Sequence, residues 1–489
     1  MPKLEEKMRD LARRVAENNR FRQRECFNLI PSETTPSLLV KCCEISDPSG
    51  RYAEHRTMKG REIYFYQGID FIREIEEELK GELSAFFSAP LVEVRPISGQ
   101  MANEVVFKGI VKYLSAGKKA RGLGRMRSAM NNNLTLGGHL SAQPMGSLFN
   151  FVEIDPSTGK DRVIHFPVRQ DDPYSIDADE MVSLIRQERP DLVIFGKSMF
   201  LYPEPVKAAA ETARSMDPGP IIMYDMAHVL GLYGAFQRPL EEGADIVTGS
   251  THKTFFGPQR GVIVSNLDPD GPKGQLWREI VNRAFPGSTS NHHLGTLLAL
   301  LIATCEMNTF RDEYQRQVIR NAQAFAGALS REGIQVEGDP ARGYTRTHQV
   351  LIRVGEGRNG VEIARRLEEN HIMTNYQALP GDESFLDPSG IRTGVQEMTR
   401  FGMEEDDFAP LAAFIADVLL RGKDVRKEVI RERQRFLEMR YTIPPREGVE
   451  LAARILCSIF SSSEHATLMA ENLLRISSQM ESMEGGRTL

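Results

Sequence analysis

Four compact, β-branched runs constrain the fold of this chain more than anything else in it. They read D-L-V-I-F-G (191–196), I-I-M-Y-D (221–225), A-D-I-V-T (244–248) and G-V-I-V-S (261–265), each separated from the next by a helical or glycine-rich segment. Runs that are apolar along their length, rather than at alternate positions, suit strands buried on both faces, as in a parallel sheet covered by helices. The pattern predicts an α/β fold with a mostly parallel, doubly wound sheet. Upstream, residues 70–87 and 102–113 carry helical spacing on either side of a short extended stretch at 92–96. The segment R-A-F-P-G-S-T-S-N-H-H (283–293) breaks the alternation. A long helical stretch to about residue 332 follows, then Q-V-L-I-R-V (349–354) as a strand and further helix, which predicts a smaller α+β domain. The expected organisation is a helical arm over 1–50, a large domain over 51–290, a small C-terminal domain over 291–422 and a charged helical extension over 423–489. The first 28 residues of the arm are amphipathic and predicted to pack against something else, and the final M-E-G-G-R-T-L is predicted to fray.

Composition narrows the class of protein. Across 489 residues, 41% are hydrophobic and 26% charged, an ordinary globular balance. A net charge of -6 offers no basic field for a phosphate backbone, so nucleic acid is not an expected partner. Five cysteines with no C-x-x-C pair point to free thiols in a reducing cytoplasm rather than to disulfides or a zinc site, and no metal is expected. The longest apolar runs are too short to span a bilayer and the charged start has no signal-peptide core, so no membrane partner is expected either.

The chemistry gathers around one lysine. In S-T-H-K-T-F-F-G-P-Q-R-G (250–261), Lys253 sits in a small, apolar, glycine-punctuated stretch just after a predicted strand. Lysines are seldom buried without a partner or a chemical role. Upstream, Y-D-M-A-H (224–228) sets Asp225 at the end of another predicted strand, where open parallel sheets place their ligand crevices. Alone, Asp225 could cap a helix and Lys253 could lie in a surface loop. Together they are what pyridoxal phosphate needs: an amine for a Schiff base, and a carboxylate that keeps the ring nitrogen protonated so that the ring stays an electron sink.

With these residues in place, the chain resembles serine hydroxymethyltransferases, a family of fold-type I pyridoxal phosphate-dependent transferases. The resemblance runs from about residue 20 to 420 and is carried by D-M-A-H-V, T-H-K-T, I-P-S-E-T-T-P-S (30–37), R-Y-A-E (51–54), P-I-S-G-Q-M-A-N (96–103), L-G-G-H-L (136–140) and S-G-I-R-T-G-V-Q-E-M-T-R-F-G-M (389–403). It implies that Ser98, Gly99 and Gln100 cradle the phosphate at a helix N-terminus, with Ser250, His252 and Gly287 also at the cofactor. His139 would stack on the ring, Ser198 would sit near its phenolic oxygen, and His228 would flank the anchors Asp225 and Lys253. Arg392 would grip the substrate carboxylate bidentately, a task suited to guanidinium. Glu54 and Tyr52 would form the acid/base pair that exchanges a proton with the substrate's β-hydroxyl, with Ser32 and Tyr64 also at the substrate. A homodimer with shared active sites is implied by the same resemblance.

The implied activity makes or breaks the Cα–Cβ bond of a serine- or threonine-type β-hydroxy amino acid. Departures from the family pattern qualify it. Gln100 follows Gly99 where the family has a small hydroxyl residue, and Leu136 replaces the first histidine of H-G-G-H. G-P-Q-R-G puts Gln259 where the family's pocket arginine stands and shifts the charge to Arg260. The segment T-N-Y-Q-A-L-P (374–380) brings Gln377 to the folate-facing region, so tetrahydrofolate is in doubt. T-H-Q-V (347–350) and G-V-Q-x-M-T-R are similar to threonine transaldolases, folate-independent relatives that pass the glycyl unit to an aldehyde. Two other readings stay open: decarboxylation or transamination on the same scaffold, and a catalytically silent binding subunit.

Overall fold

The computed structural model describes residues 2–58, 61–116 and 124–485. Its centre is a seven-stranded sheet in the order Leu91–Glu93, Gly261–Ser265, Ile246–Ser250, Ile221–Asp225, Leu192–Phe195, Ala129–Asn131, Val163–His165. Gly261–Ser265 runs antiparallel to both neighbours and the remaining pairs are parallel. The central strands are buried throughout. Alternate side chains serve two cores: Ile222 and Tyr224 enter one hydrophobic cluster, and Ile221 and Met223 enter the other. That two-sided burial is why the strands read as unbroken apolar runs.

A second sheet of four antiparallel strands follows the 38-residue helix Leu294–Arg331. Its strand Gly390–Gly394 lies between Gln349–Arg353 and Asn375–Gln377. The helix Pro2–Arg20 buries no side chain, leaving Leu4, Met8, Leu11 and Val15 exposed. Beyond it, Phe27–Asn28 pairs in parallel with Ile372–Met373 in a separate two-stranded sheet, just before the small-sheet strand Asn375–Gln377.

Residues 425–452 contribute buried side chains to the packed body. Arg433 is fully buried and donates to the carbonyls of Cys26 and Gln23, while Phe436 and Tyr441 enter the main core. The helix Pro445–Ile459 packs Ala452 against Leu39 and Cys42. The last helix runs Ser463–Gly485; of the stretch expected to fray, residues 486–489 lie outside the described residues. Among the described residues, no helix is long and apolar enough to cross a membrane.

Candidate active site

Parallel pairing sets Asp225 opposite Thr248, so the loops leaving Ile221–Asp225 and Ile246–Ser250 open at the same sheet edge. This brings Asp225, His228 and Lys253 together, as parallel topology demands of residues just past neighbouring strand ends. Lys253 is buried, and its Nζ lies 3.1 Å from His228 Nε2. Burial pulls its amine down, Asp225 opposes and Arg392 adds, leaving it at about 8. Burial, followed by the positive charges of Lys253 and Arg392, holds the His228 imidazole well below its ordinary range. A neutral His228 can accept a hydrogen bond from the Lys253 amine and carries no charge to compete with it.

Asp225 is buried and saturated with donors. Its Oδ1 accepts from the Ala227 amide at 2.9 Å, and its Oδ2 accepts from Asn103 Nδ2 at 2.8 Å and pairs with His139 Nδ1 at 2.5 Å. Burial alone would raise its carboxyl; His139, Asn103 and the amide outweigh it and keep the group ionised. Asn103 is a site residue to which the sequence reading gave no role. It donates also to Ser141 Oγ (2.7 Å) and accepts from Thr248 Oγ1 (2.6 Å), which fixes its amide orientation. The signal was present: Asn103 lies one helical turn after Gly99, on the end of the helix that meets the strand tips.

Ser98 caps the helix Gly99–Leu114, its Oγ accepting from the Met101 amide at 3.1 Å. A Cβ on Gly99 would come within 2.2 Å of Ser250 Oγ, so only glycine lets that hydroxyl stand at the helix N-terminus. Gln100 points outward and offers only its carbonyl, to Ser147 Oγ at 3.1 Å. His252 is half-buried, with its imidazole pulled to about 4 by burial and by Lys253, and its Nδ1 has no hydrogen-bond partner, like that of His228. A positive helix end with two hydroxyls, a buried amine, a buried carboxylate and two unpartnered ring nitrogens fit the phosphate, aldehyde and ring nitrogen of pyridoxal phosphate.

Arg392 faces the same space from the small sheet. It is 7% exposed, donates to the Ser198 carbonyl at 2.8 Å and Asn375 Oδ1 at 3.2 Å, and has no carboxylate partner among the described residues. Burial pulls its guanidinium down to about 10. A buried cation without a counter-ion is costly and binds an incoming carboxylate strongly. Ser198 thus contributes its carbonyl to holding Arg392. Lys253, His228, His252, Ser198, Arg392 and Ser32 line one cleft of about 830 Å³, together with Gln259 and Gln377.

Asp225, His139, Ser98, Gly99, Gln100 and Ser250 lie behind that cleft lining, at the strand ends and the helix N-terminus, whereas Tyr52, Glu54, Tyr64 and Gly287 are outside it altogether. Tyr52 is exposed and its ring lies 5.3 Å from that of Tyr66, which hydrogen-bonds Glu54. Phe65 and Phe285 approach to 6.5 Å on the same side, and Lys108 reaches the Gly287 carbonyl at 3.4 Å. Tyr64 does not join this group. Its ring stacks on His55 at 4.7 Å, and His55 in turn lies 3.2 Å from the buried Glu76. Tyr66, rather than Tyr64, is therefore the tyrosine that accompanies Glu54. Arg260 does not line the cleft either. It is fully buried, donating to the carbonyls of Val94 (2.6 Å), His292 (2.5 Å) and His293 (3.0 Å) and to Thr296 Oγ1 (2.9 Å), while Gln259 alone of the two faces the cleft.

The sheet order, the lysine and aspartate at adjoining strand ends and the capped helix opposite them define a fold-type I pyridoxal phosphate transferase. The sequence profile of serine hydroxymethyltransferase matches residues 4–415. The chain is 38% identical over 453 residues to the serine hydroxymethyltransferase of Pyrobaculum calidifontis, covering 92% of this chain and 96% of the relative. It is 36% identical over 463 residues to that of Sulfolobus acidocaldarius, covering 93% and 99%. Among solved structures it is similar to the L-threonine transaldolase of Pseudomonas fluorescens in its internal aldimine state, with a TM-score of 0.76, 26% identity, and 93% and 99% of the two chains covered. The chain belongs to the serine hydroxymethyltransferase family.

Proposed function

We propose that this protein uses pyridoxal phosphate to make or break the Cα–Cβ bond of a serine- or threonine-type β-hydroxy amino acid. The observation that carries this reading is Arg392, a buried guanidinium without a counter-ion in the cleft that holds Lys253. Arg392 would clamp the substrate carboxylate and so fix which Cα bond can break. Ser98, Gly99, Ser250 and His252 would hold the phosphate, His139 would cover the ring, Asp225 would keep a proton on the ring nitrogen, and Lys253 would form the Schiff base. Bound pyridoxal phosphate supplies an electron sink for the pair left at Cα. His228, neutral, would orient the Lys253 amine rather than act as a base.

Glu54 would exchange a proton with the substrate's β-hydroxyl, aided by Tyr52 and Tyr66. These residues stand on an aromatic face of their own, away from the cleft of the same chain. A homodimer in which each subunit lends this face to the other's cleft accounts for that separation. A second reading, glycyl transfer to an aldehyde without folate, is favoured by Gln259 and Gln377, two uncharged amides in the cleft wall.

Purified protein should show a visible cofactor band that shifts on adding glycine, serine or threonine. Dependence of turnover on tetrahydrofolate names the hydroxymethyl acceptor; release of acetaldehyde from threonine without it, with incorporation of an added aldehyde, names the aldehyde route. A wild-type protein without the band, or Lys253→Ala with the band unchanged, overturns the reading.

A further inference from the structure

The loop 30–35, which brings Ser32 and Glu33 to the cleft wall, is held from beneath by residues that leave the strand carrying Arg392. Gln396 Nε2 donates to the carbonyls of Ile30 (2.9 Å) and Glu33 (2.7 Å). Glu397 accepts from the Thr35 amide (2.9 Å), from Thr35 Oγ1 (3.2 Å) and from Asn28 Nδ2 (2.6 Å). Both side chains are buried. Gly394 lets the two segments touch, since a Cβ there would come within 2.7 Å of Pro31 Cα, and its amide donates to the Leu29 carbonyl at 2.7 Å. His348 Nε2 closes the contact on the Pro31 carbonyl at 3.0 Å.

We propose that Gln396 and Glu397 are positioning residues for the substrate carboxylate: by pinning loop 30–35 to the end of Gly390–Gly394, they hold Ser32 at a fixed offset from Arg392. This rests on the reading that Arg392 takes that carboxylate. Buried polar groups left without partners carry their full desolvation cost, so removing one side of the clasp displaces the loop rather than leaving its carbonyls in place. Ground-state affinity for the amino acid then falls, while the chemistry at Lys253 and Asp225 is untouched. Glu397→Gln turns an NH2 group toward the Thr35 amide or Asn28, and Gln396→Met keeps the length while removing the donor.

The test is steady-state kinetics on the holoenzyme with its amino-acid substrate, alongside the cofactor band. In both variants KM should rise about tenfold with kcat changed less than about threefold and the band unaltered, because loss of uniform binding raises KM alone. In an Arg392→Lys background the same changes should add little, since the residues act on one contact. If Glu397→Gln does not fold, Gln396→Met and Thr35→Val carry the test, the latter with a smaller rise. Unchanged KM in folded variants overturns the proposal, as does a fall in kcat and cofactor content at constant KM. If Arg392→Lys itself leaves KM unaltered, the functional reading fails and this proposal falls with it; if Arg392→Lys raises KM and the clasp variants do not, only the clasp is refuted.

Discussion

Replacing Lys253 by methionine should stabilise the cofactor-free protein while abolishing its activity. Burial, opposed by Asp225 and reinforced by Arg392, takes the Lys253 amine from an ordinary 10.5 to about 8. The folded state therefore binds this proton more weakly than the unfolded chain, the reverse of a lysine that gains a partner. The resulting penalty is fully present below the folded value near 8 and disappears as pH rises through the unfolded value. Its size follows from the two values: about 3 kcal/mol at pH 7, about 2 at pH 9 and under about 1 at pH 10. Methionine fills similar volume without a charge, so Lys253→Met removes the penalty. The lost contact with His228 Nε2 offsets part of the gain, while the pH trend itself comes from the titration of Lys253. Urea-unfolding midpoints of the two cofactor-free proteins, measured at pH 7, 9 and 10, give the difference. The variant should be the more stable at pH 7, with its advantage shrinking by about 2 kcal/mol at pH 10. An advantage that does not change between pH 7 and 10, or a variant less stable at pH 7 than at pH 10 relative to wild type, refutes the assignment of Lys253 as a buried, destabilising amine held for chemistry.

Two further outcomes separate catalytic from structural roles. Glu54→Gln should lower kcat about a hundredfold with cofactor content unchanged, and Tyr66→Phe should lower it too, whereas Tyr64→Phe should stay within about threefold of wild type in the same kinetic assay. Arg260→Met should lower stability by about 2–4 kcal/mol in urea unfolding, because the carbonyls of Val94 and His292 lose a buried charged donor, while KM for the amino acid stays as it was.

What could be read from the sequence, and what could not, follows from how far each feature depends on tertiary contacts. The strands of the large sheet announced themselves because burial on both faces forbids polar residues along their whole length. Asp225 and Lys253 were legible because a titratable residue directly after such a strand stands out against it. Tyr64 and Tyr66 could not be told apart, because the chain bends irregularly after Tyr64 and period-two reasoning ends with the strand. Asn103, Gln396 and Glu397 look like ordinary polar helix residues; their role comes from partners as distant as Asp225, Ile30 and Thr35. Arg433 belongs to the charged extension, within R-K-E-V-I-R-E-R-Q-R, yet it is fully buried and holds the carbonyls of Cys26 and Gln23. Long-range carbonyls leave no mark on the local sequence.

The pair Gln259–Arg260 shows what a shift of one residue does at a strand entrance. Consecutive side chains on an extended backbone point to opposite sides, so the charge that moves from 259 to 260 leaves the cleft and enters the core. There its two Nη groups donate to backbone carbonyls and a threonine hydroxyl, and burial pulls its guanidinium down to about 10. The buried cations that still line the cleft are then Lys253 and Arg392. In the proposed enzyme the first is taken up by the cofactor, which leaves Arg392 as the single deep anchor for an anion, and the amino acid's carboxylate claims it. An acceptor bearing carboxylates of its own must find its charge partners nearer the rim, at the exposed Lys41 and at Arg22, which Glu33 already pairs. An uncharged aldehyde meets no such demand, and the amides of Gln259 and Gln377 can satisfy its carbonyl oxygen by hydrogen bonds alone.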